Sequence, residues 1–349
     1  MQQRKFGMTI AALMIAASAG PALAGRCQFV GVEGGEVEVN TDNGAETAGK
    51  TGLLKCYRDG KLWREQELRD GAYIGLDRSY ADDGSISERQ VNANGNTEGV
   101  KREFWPGGQL RSEANHVDGD VLGLSRSFHR NGKPAALRFG AGRGKPSGSV
   151  IEYNESGQIT ELRCASTSSF DEDRAPCGRD GKPATVELFD RRGSKRGELV
   201  HREGSVLAAT SFDEAGKRVE ASEFTANGRI DRRYFGDGKM ASERRIENDY
   251  AVADSEWYMN GQLKQRTTRE PVDRDGASTV ERYRDSGVLQ SREYWRGRHR
   301  EREESFDEAG KRSLERSFDE DGNLSRQRKF AADGSVLEDE SFYPDGSRK

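Results

Sequence analysis

A glycine returns at an almost fixed interval over most of this 349-residue chain. Gly60, Gly84, Gly108, Gly132, Gly157 and Gly181 lie 24 or 25 residues apart. They are followed by Gly193, Gly216, Gly228, Gly238, Gly261, Gly287, Gly310, Gly322, Gly334 and Gly346, of which the last four are 12 apart. The residues around them are equally ordered. Four positions before the glycine stand Tyr80, Phe104, Phe128, Tyr153, Phe189, Phe212, Phe224, Tyr234, Trp257, Tyr283, Phe306, Phe318, Phe330 and Phe342. Cys56 and Cys177 take that place before Gly60 and Gly181. Asp or Asn commonly precedes the glycine, and Leu62, Ile86, Leu110, Ile159, Ile230, Met240, Leu263, Leu289, Leu324 and Val336 stand two after it. A glycine in every dozen residues is incompatible with long helices, since each would cost about 1 kcal/mol in a helix interior.

The pattern is that of β-hairpins. Asp-Gly and Asn-Gly supply the positive φ of tight turns. A two-residue loop would put the aromatic and the following aliphatic residue on opposite faces. A three-residue loop with its bulge at the glycine pairs them on one face, and that loop is the one expected here. Half-repeats of 12 residues then leave strands of ordinary length. The expected fold is all-β: an elongated antiparallel hairpin repeat, a single-layer twisted sheet or solenoid with a repeat of about 24 residues and a half-repeat of about 12. Arg78, Arg102, Arg126, Arg232, Arg316 and Arg328 stand two residues before the aromatic, hence on its face. They read first as a solvated structural ladder and second as an anion-binding stripe. Glu65, Glu88, Glu113, Glu161 and Glu243 are placed to neutralise them.

Composition fits a thin sheet better than a thick core. Only 33% of residues are apolar and another 33% are charged, yet net charge is just −4. That balance, without a basic block, argues against nucleic acid as a partner. Chemistry is hard to find. The stretch from Phe139 to Pro146 mimics a phosphate loop but lacks its first Gly and its Ser or Thr, so it reads as a basic connector. Asp319-Glu320-Asp321-Gly322 lacks the alternating ligands of a calcium loop. His116, His129, His201 and His299 are scattered, so neither a metal centre nor a catalytic triad is expected. We expect no enzyme activity, no cofactor and no metal.

Residues 1–24 have the layout of a secretory leader: Arg4 and Lys5, an apolar run from Ile10 to Ala19, then Ala22-Leu23-Ala24 as a cleavage site. The run is too short to span a bilayer. No later segment is apolar enough to span one. The expectation is a periplasmic or secreted protein cleaved after Ala24. Four cysteines suit an oxidising compartment, and nearness in sequence favours Cys27–Cys56 and Cys164–Cys177 among the three possible connectivities. The organisation expected is a leader (1–24), an N-terminal cap (25–55), a first repeat array (56–163), a disulfide-closed polar insert (164–177) and a second array (178–349).

Trp257-Tyr258-Met259-Asn260-Gly261-Gln262-Leu263-Lys264 and Phe104-Trp105-Pro106-Gly107-Gly108-Gln109-Leu110 resemble the bacterial variant of the MORN repeat. The pairs Gly71/Gly75, Gly95/Gly99 and Gly119/Gly123 match the Gly-x-x-x-Gly that closes such repeats. The resemblance covers most of 56–349. It implies stacked antiparallel hairpins acting as a binding or scaffold module, often antitoxin-like, with no catalytic residues. Phe306-Asp307 and Phe318-Asp319 with their glycines also look like the tyrosine-aspartate (Rhs-type) repeats that form β-shells. The functional expectation is a scaffold that binds a protein partner through an extended sheet face, with an antitoxin or immunity role as its sharper form. Attachment to an envelope surface (lipid, peptidoglycan or polysaccharide) and service as a shell or stalk component are the alternatives.

Overall fold

The structure is a computed structural model describing residues 26–142, 146–167, 169–270 and 276–349. The leader and its cleavage site lie outside the described residues, as does part of the 139–146 connector. The strands form two long antiparallel sheets, neither closed into a barrel. The chain divides into two compact units, Met1–Gly108 and Gln109–Lys349, each described here by itself.

In the first unit, strands Gly52–Arg58, Lys61–Arg69, Ala72–Tyr80, Ile86–Val91 and Thr97–Phe104 each pair with the next in sequence. Strand Arg26–Gly31 lies between Glu36–Val39 and Gly52–Arg58. Cys27 faces Cys56 directly and is disulfide-bonded to it. The boundary expected at 55/56 therefore falls inside a strand. A short helix, Gly44–Thr47, is capped by Asn43, whose side chain accepts from the Ala45 N–H. The core here is Cys27, Val39, Leu54, Cys56 and Leu68.

The second unit runs as a meander from Leu110–Val117 to Ile159–Arg163, then from Ala184–Phe189 to Val336–Ser341. Cys164 and Cys177 bridge the insert between the two runs. That insert is not a surface loop merely held by its disulfide. Phe170 and Cys177 are buried with Leu137, Ile151, Leu162 and Val186, so the insert fills the core between the runs. Asp173, wholly buried, accepts from Ser149 Oγ (2.5 Å) and Ser169 N–H (2.9 Å) and faces Arg179 Nε at 3.4 Å. Its polarity in sequence masked one ring and one thiol pair that pack inward.

Two kinds of turn occur and alternate over most of the chain, so that the full repeat there spans two strands; the turns at Gly310, Gly322, Gly334 and Gly346 are all of the three-residue kind, which gives the 12-residue spacing. After the aromatic comes the three-residue loop with a bulge at glycine. At Gly84, Ala81 N–H donates to Ser85 O and Gly84 N–H to Ala81 O, both 2.9 Å, and Tyr80 faces Ile86. The same register pairs Phe128 with Pro134, Tyr153 with Ile159, Trp257 with Leu263, Tyr283 with Leu289, Phe318 with Leu324 and Phe330 with Val336. Phe306 meets Arg312 and Phe342 meets Arg348 in the same way. The loop of Phe104 starts alike, with Gly108 N–H donating to Trp105 O. Turns at the opposite strand ends are mostly two-residue turns such as Asp70-Gly71 and Glu203-Gly204, with φ of 49° and 82°, and of 47° and 78°.

Three expectations need correction. In the three-residue loops, the Asp or Asn before glycine does not supply positive φ; only the glycine does. Asp83, Asp237, Asn260 and Asp333 keep negative φ and instead accept the N–H of the residue after glycine, at 2.9–3.0 Å. Asp213 and Asp307, three before glycine, accept two such N–H groups. Gly60 closes a two-residue turn with Asp59 (φ 50°), so Tyr57, not Cys56, faces Leu62. Phe224 faces Arg229 across the two-residue turn Ala226-Asn227, and Gly228 lacks a positive φ.

Successive loops on the aromatic edge are also tied to one another. Asn131 Nδ2 donates to Glu155 O (2.8 Å) and Asn260 Nδ2 to Asp285 O (2.7 Å). Lys133, Lys239 and Lys311 donate to Ser156 O, Met259 O and Ala332 O. These bonds give Asn-Gly-Lys and Asp-Gly-Lys a reason beyond the turn itself. They also fix each hairpin against the following one.

Candidate functional site

Four of the six arginines in the series, Arg78, Arg126, Arg232 and Arg328, form ion pairs that tie their strands to neighbouring elements. Arg78 bonds Glu88 and Glu65, Arg126 reaches Glu113 and Glu172, and Arg232 bonds Glu243 and Glu223. Arg328 pairs with Glu315, and Arg316 bonds Gln327. Glu243 holds the Arg232 guanidinium above its usual range, against the opposing effect of burial. The guanidiniums that pair this way are spent on neighbouring strands, which favours the structural ladder over an anion stripe. Glu161, expected among their partners, pairs with Arg163 instead.

The aromatic rib is half-buried and largely covered by cations. Arg312 stands 4.3 Å from the Phe330 ring centroid. Phe318, expected in the rib, has the parity opposite to Glu315 and Ser317, which share the face of Phe306 and Phe330; it lies on the other face, under Arg300 at 4.2 Å. Lys195 covers Phe212, and Arg218 covers Tyr234. Lys195, Arg218 and Arg312 all stand two after a turn glycine, where other repeats carry Leu or Ile. A long basic stem thus replaces the aliphatic residue and packs on the next ring, as cation–π contacts and stem burial both favour. Tyr80 and Tyr283 donate to Glu65 and Glu281, and burial together with those carboxylates pushes both phenols up. These rings are packing elements rather than open anchors.

The opposite face of the second sheet carries a feature that the sequence reading passed over. Alternate residues of four neighbouring strands, Glu220 and Ser222, Arg229, Asp231 and Arg233, Ser242 and Arg244, and Asp254 and Glu256, share one face. With Gln265, Thr267 and Arg269 of the next strand they line a groove of about 620 Å³. Phe224 has the parity of Glu220 and Ser222, so it belongs to this face and not to the rib; it is 37% exposed. The charges interlock. Arg244 Nε and Arg269 Nη1 donate to the two oxygens of Asp254 at 2.6 and 2.5 Å. Ser222 Oγ and Arg229 Nε bond Asp231, and Arg233 bonds Glu220. Burial alone would raise the Asp254 carboxyl, but the two arginines outweigh it and hold it below the usual range. Arg232, Glu243 and Ser255 complete the lining, and its five arginines meet five carboxylates, so the groove carries no net charge. The available signal was period-2 polarity in the residues between the rib positions.

Among the described residues no group of three or more His, Cys, Asp or Glu side chains could hold a metal ion, and no helix is long and apolar enough to cross a membrane. His201 is buried, and burial pushes its imidazole below the usual range.

Residues 97–118 match the MORN repeat variant family. No curated protein matches this chain. Among solved structures it is similar to the crystal structure of TcdB2-TccC3-Cdc42, at 12% identity over 93% of this chain and 24% of that one, with a TM-score of 0.15. The crystal structure of TcdB2-TccC3 gives 11% identity over 90% and 24%, with a TM-score of 0.16. The chain spans about a quarter of the length of each.

Proposed function

We propose that this chain is a non-enzymatic binding scaffold that holds a protein partner on the polar face of its second sheet. The observation that carries the reading is the groove between Glu220 and Arg269: concave, long and densely polar, yet neutral in sum. A neutral groove of fixed, alternating charges is poorly matched to a polyanion. It is well matched to a protein surface that carries both signs, because correct juxtaposition is rewarded and misregistration brings like charges together. The rib on the other face supplies rigidity, and the tied loops hold strand register. Two disulfides and the leader-like sequence support an oxidising, exported setting. The immunity-like version of this role is its sharper form.

The reading is tested by affinity capture from the envelope and extracellular fractions, with three baits run side by side. Wild type is expected to retain a partner that the charge reversal Arg233→Glu with Arg244→Glu releases. Phe128→Ser, on the rib of a separate hairpin, serves as a fold-perturbing control monitored by circular dichroism. A partner held equally by the folded groove variant would place the interface elsewhere.

A further inference from the structure

The first unit holds a cleft of different character, about 260 Å³ in volume and distinct from the polar groove. Part of its lining is apolar, with Leu54, fully buried, Val91, and the rings of Trp63 and Tyr73, beside the polar Thr41 and Gln66. Two guanidiniums, Arg64 and Arg89, stand at the same cleft with about a third of each side chain open to solvent. A cross-strand row builds the arrangement, with Gln66 opposite Asp77 and Asp77 opposite Arg89.

The charges in this cleft do not cancel. Asp77, nearly buried, accepts from Arg64 Nε (2.8 Å) on one oxygen and from Arg89 Nε (2.9 Å) on the other. Arg64 Nη2 also bonds Gln66 (2.6 Å) and Arg89 Nη1 bonds Thr97 (3.1 Å). One carboxylate thus orients two guanidiniums, leaving one positive charge beside the apolar part of the lining, and no other acidic residue lines the cleft. Arg64 Nη1 makes no hydrogen bond, so this guanidinium, held by Asp77 and Gln66, keeps donor capacity to spare. Trp63, its ring stacked under Arg58 at 4.8 Å, adds an unspent donor, since its buried Nε1 meets no acceptor.

We propose that this cleft binds an organic carboxylate joined to an apolar group. The Arg64–Arg89 pair takes the carboxylate, Val91 and Tyr73 take the apolar body, and Trp63 takes a neighbouring carbonyl. That chemistry is shared by a free N-acylated hydrophobic amino acid and by the C-terminal residue of a polypeptide. The site is independent of the groove in the second unit, so failure of either leaves the other standing.

The test uses the full oxidised chain with three probes: N-acetyl-leucine, N-acetyl-leucinamide and an acetylated pentapeptide ending in leucine with a free carboxylate. Binding is followed by calorimetry and by the Trp63 indole N–H resonance, identified by its loss in Trp63→Phe. The acid is expected to shift that resonance saturably, and the amide to bind at least about tenfold more weakly, as expected for loss of a charge-assisted bond. Tight binding of the pentapeptide points to a polypeptide end; binding of N-acetyl-leucine alone points to a free small acid. Arg64→Gln should weaken the acid about tenfold or more. If that variant does not fold, Tyr73→Ala, at an exposed ring, should weaken it severalfold. Equal affinity for acid and amide, or no saturable shift with either acid or pentapeptide into the millimolar range, would overturn the proposal.

Discussion

The two turn types predict opposite rankings for the same substitutions at two aspartates. Asp59 occupies the left-handed region (φ 50°) and its side chain caps no turn N–H. Alanine keeps the Cβ strain and loses the short polar side chain that eases this region, so Asp59→Ala should cost up to about 1 kcal/mol. Glycine relieves the strain and returns roughly 0.5–1 kcal/mol of it as lost backbone freedom, leaving Asp59→Gly near neutral. Asp213 is the reverse case. It keeps negative φ and accepts from Ala215 N–H (2.9 Å) and Lys217 N–H (2.8 Å). Either replacement loses both bonds, for a total of about 1–2 kcal/mol once water compensates the exposed N–H groups. Glycine adds a further flexibility cost of about 0.5–1 kcal/mol. Glycine should therefore be better than alanine at 59 and worse at 213. Urea titration combined with hydrogen exchange of the local hairpin peptides reads each ranking separately, as a repeat chain is not expected to unfold in one step. The same ranking at both positions would refute the assignment of two distinct turn chemistries.

Other consequences follow from the packing and the ion pairs. Ile151→Ala, at a fully buried position in the core of the second unit, should cost roughly 2–5 kcal/mol, read as a shift in the urea midpoint. Removing the Cys164–Cys177 bridge by double serine substitution frees a 13-residue separation and should cost about 3 kcal/mol, with loss of exchange protection centred on Phe170 and Ile151. Asp254→Asn tests the groove network. The folded carboxyl lies below its ordinary value, so its stabilisation is present above the unfolded value of about 4 and disappears as pH falls through the folded one. The variant should lose about 1–2 kcal/mol near pH 7, a figure already reduced for the exposure of Arg244, and the difference should vanish in acid. A gap that stays constant with pH would assign the effect to packing instead.

Much of the fold was legible because the repeat writes one local rule many times. The aromatic at Tyr80 or Trp257, the glycine four later and the aliphatic residue two beyond it fixed both loop type and pairing. What escaped was set by geometry that a single slot does not encode. Phe224 has the right spacing, but it stands twelve residues after Phe212 on the returning strand, where Ala221 and Glu223 share the face of Phe212, so its ring points to the other face; Phe318 stands to Phe306 in the same way. The insert read as polar because Ser, Asp and Arg dominate it, while the buried hydrogen bonds of Asp173 that let it fold inward link residues 24 apart. The cleft at Trp63 was invisible for a similar reason: Arg64, Asp77 and Arg89 converge only through strand register.

The division of labour between the two faces has a consequence for where function can reside. Positions that make the repeat are the ring, the glycine, the Asx acceptor and the side chain that reaches the next loop, and nearly all lie at the turns or on the rib face. The groove face needs none of them. Its residues, Glu220 to Arg269, must only be polar enough to face water and paired enough to stay ordered. A substitution such as Arg233→Glu should thus leave the hairpin register of Arg233 with Glu220 and Ser242 intact while changing the charge pattern displayed. A rib substitution such as Phe330→Ala removes a buried ring and the platform for Arg312 together. A fold that separates its structural code from its displayed surface in this way can change partners without changing architecture, which is the physical case for reading this chain as a recognition surface.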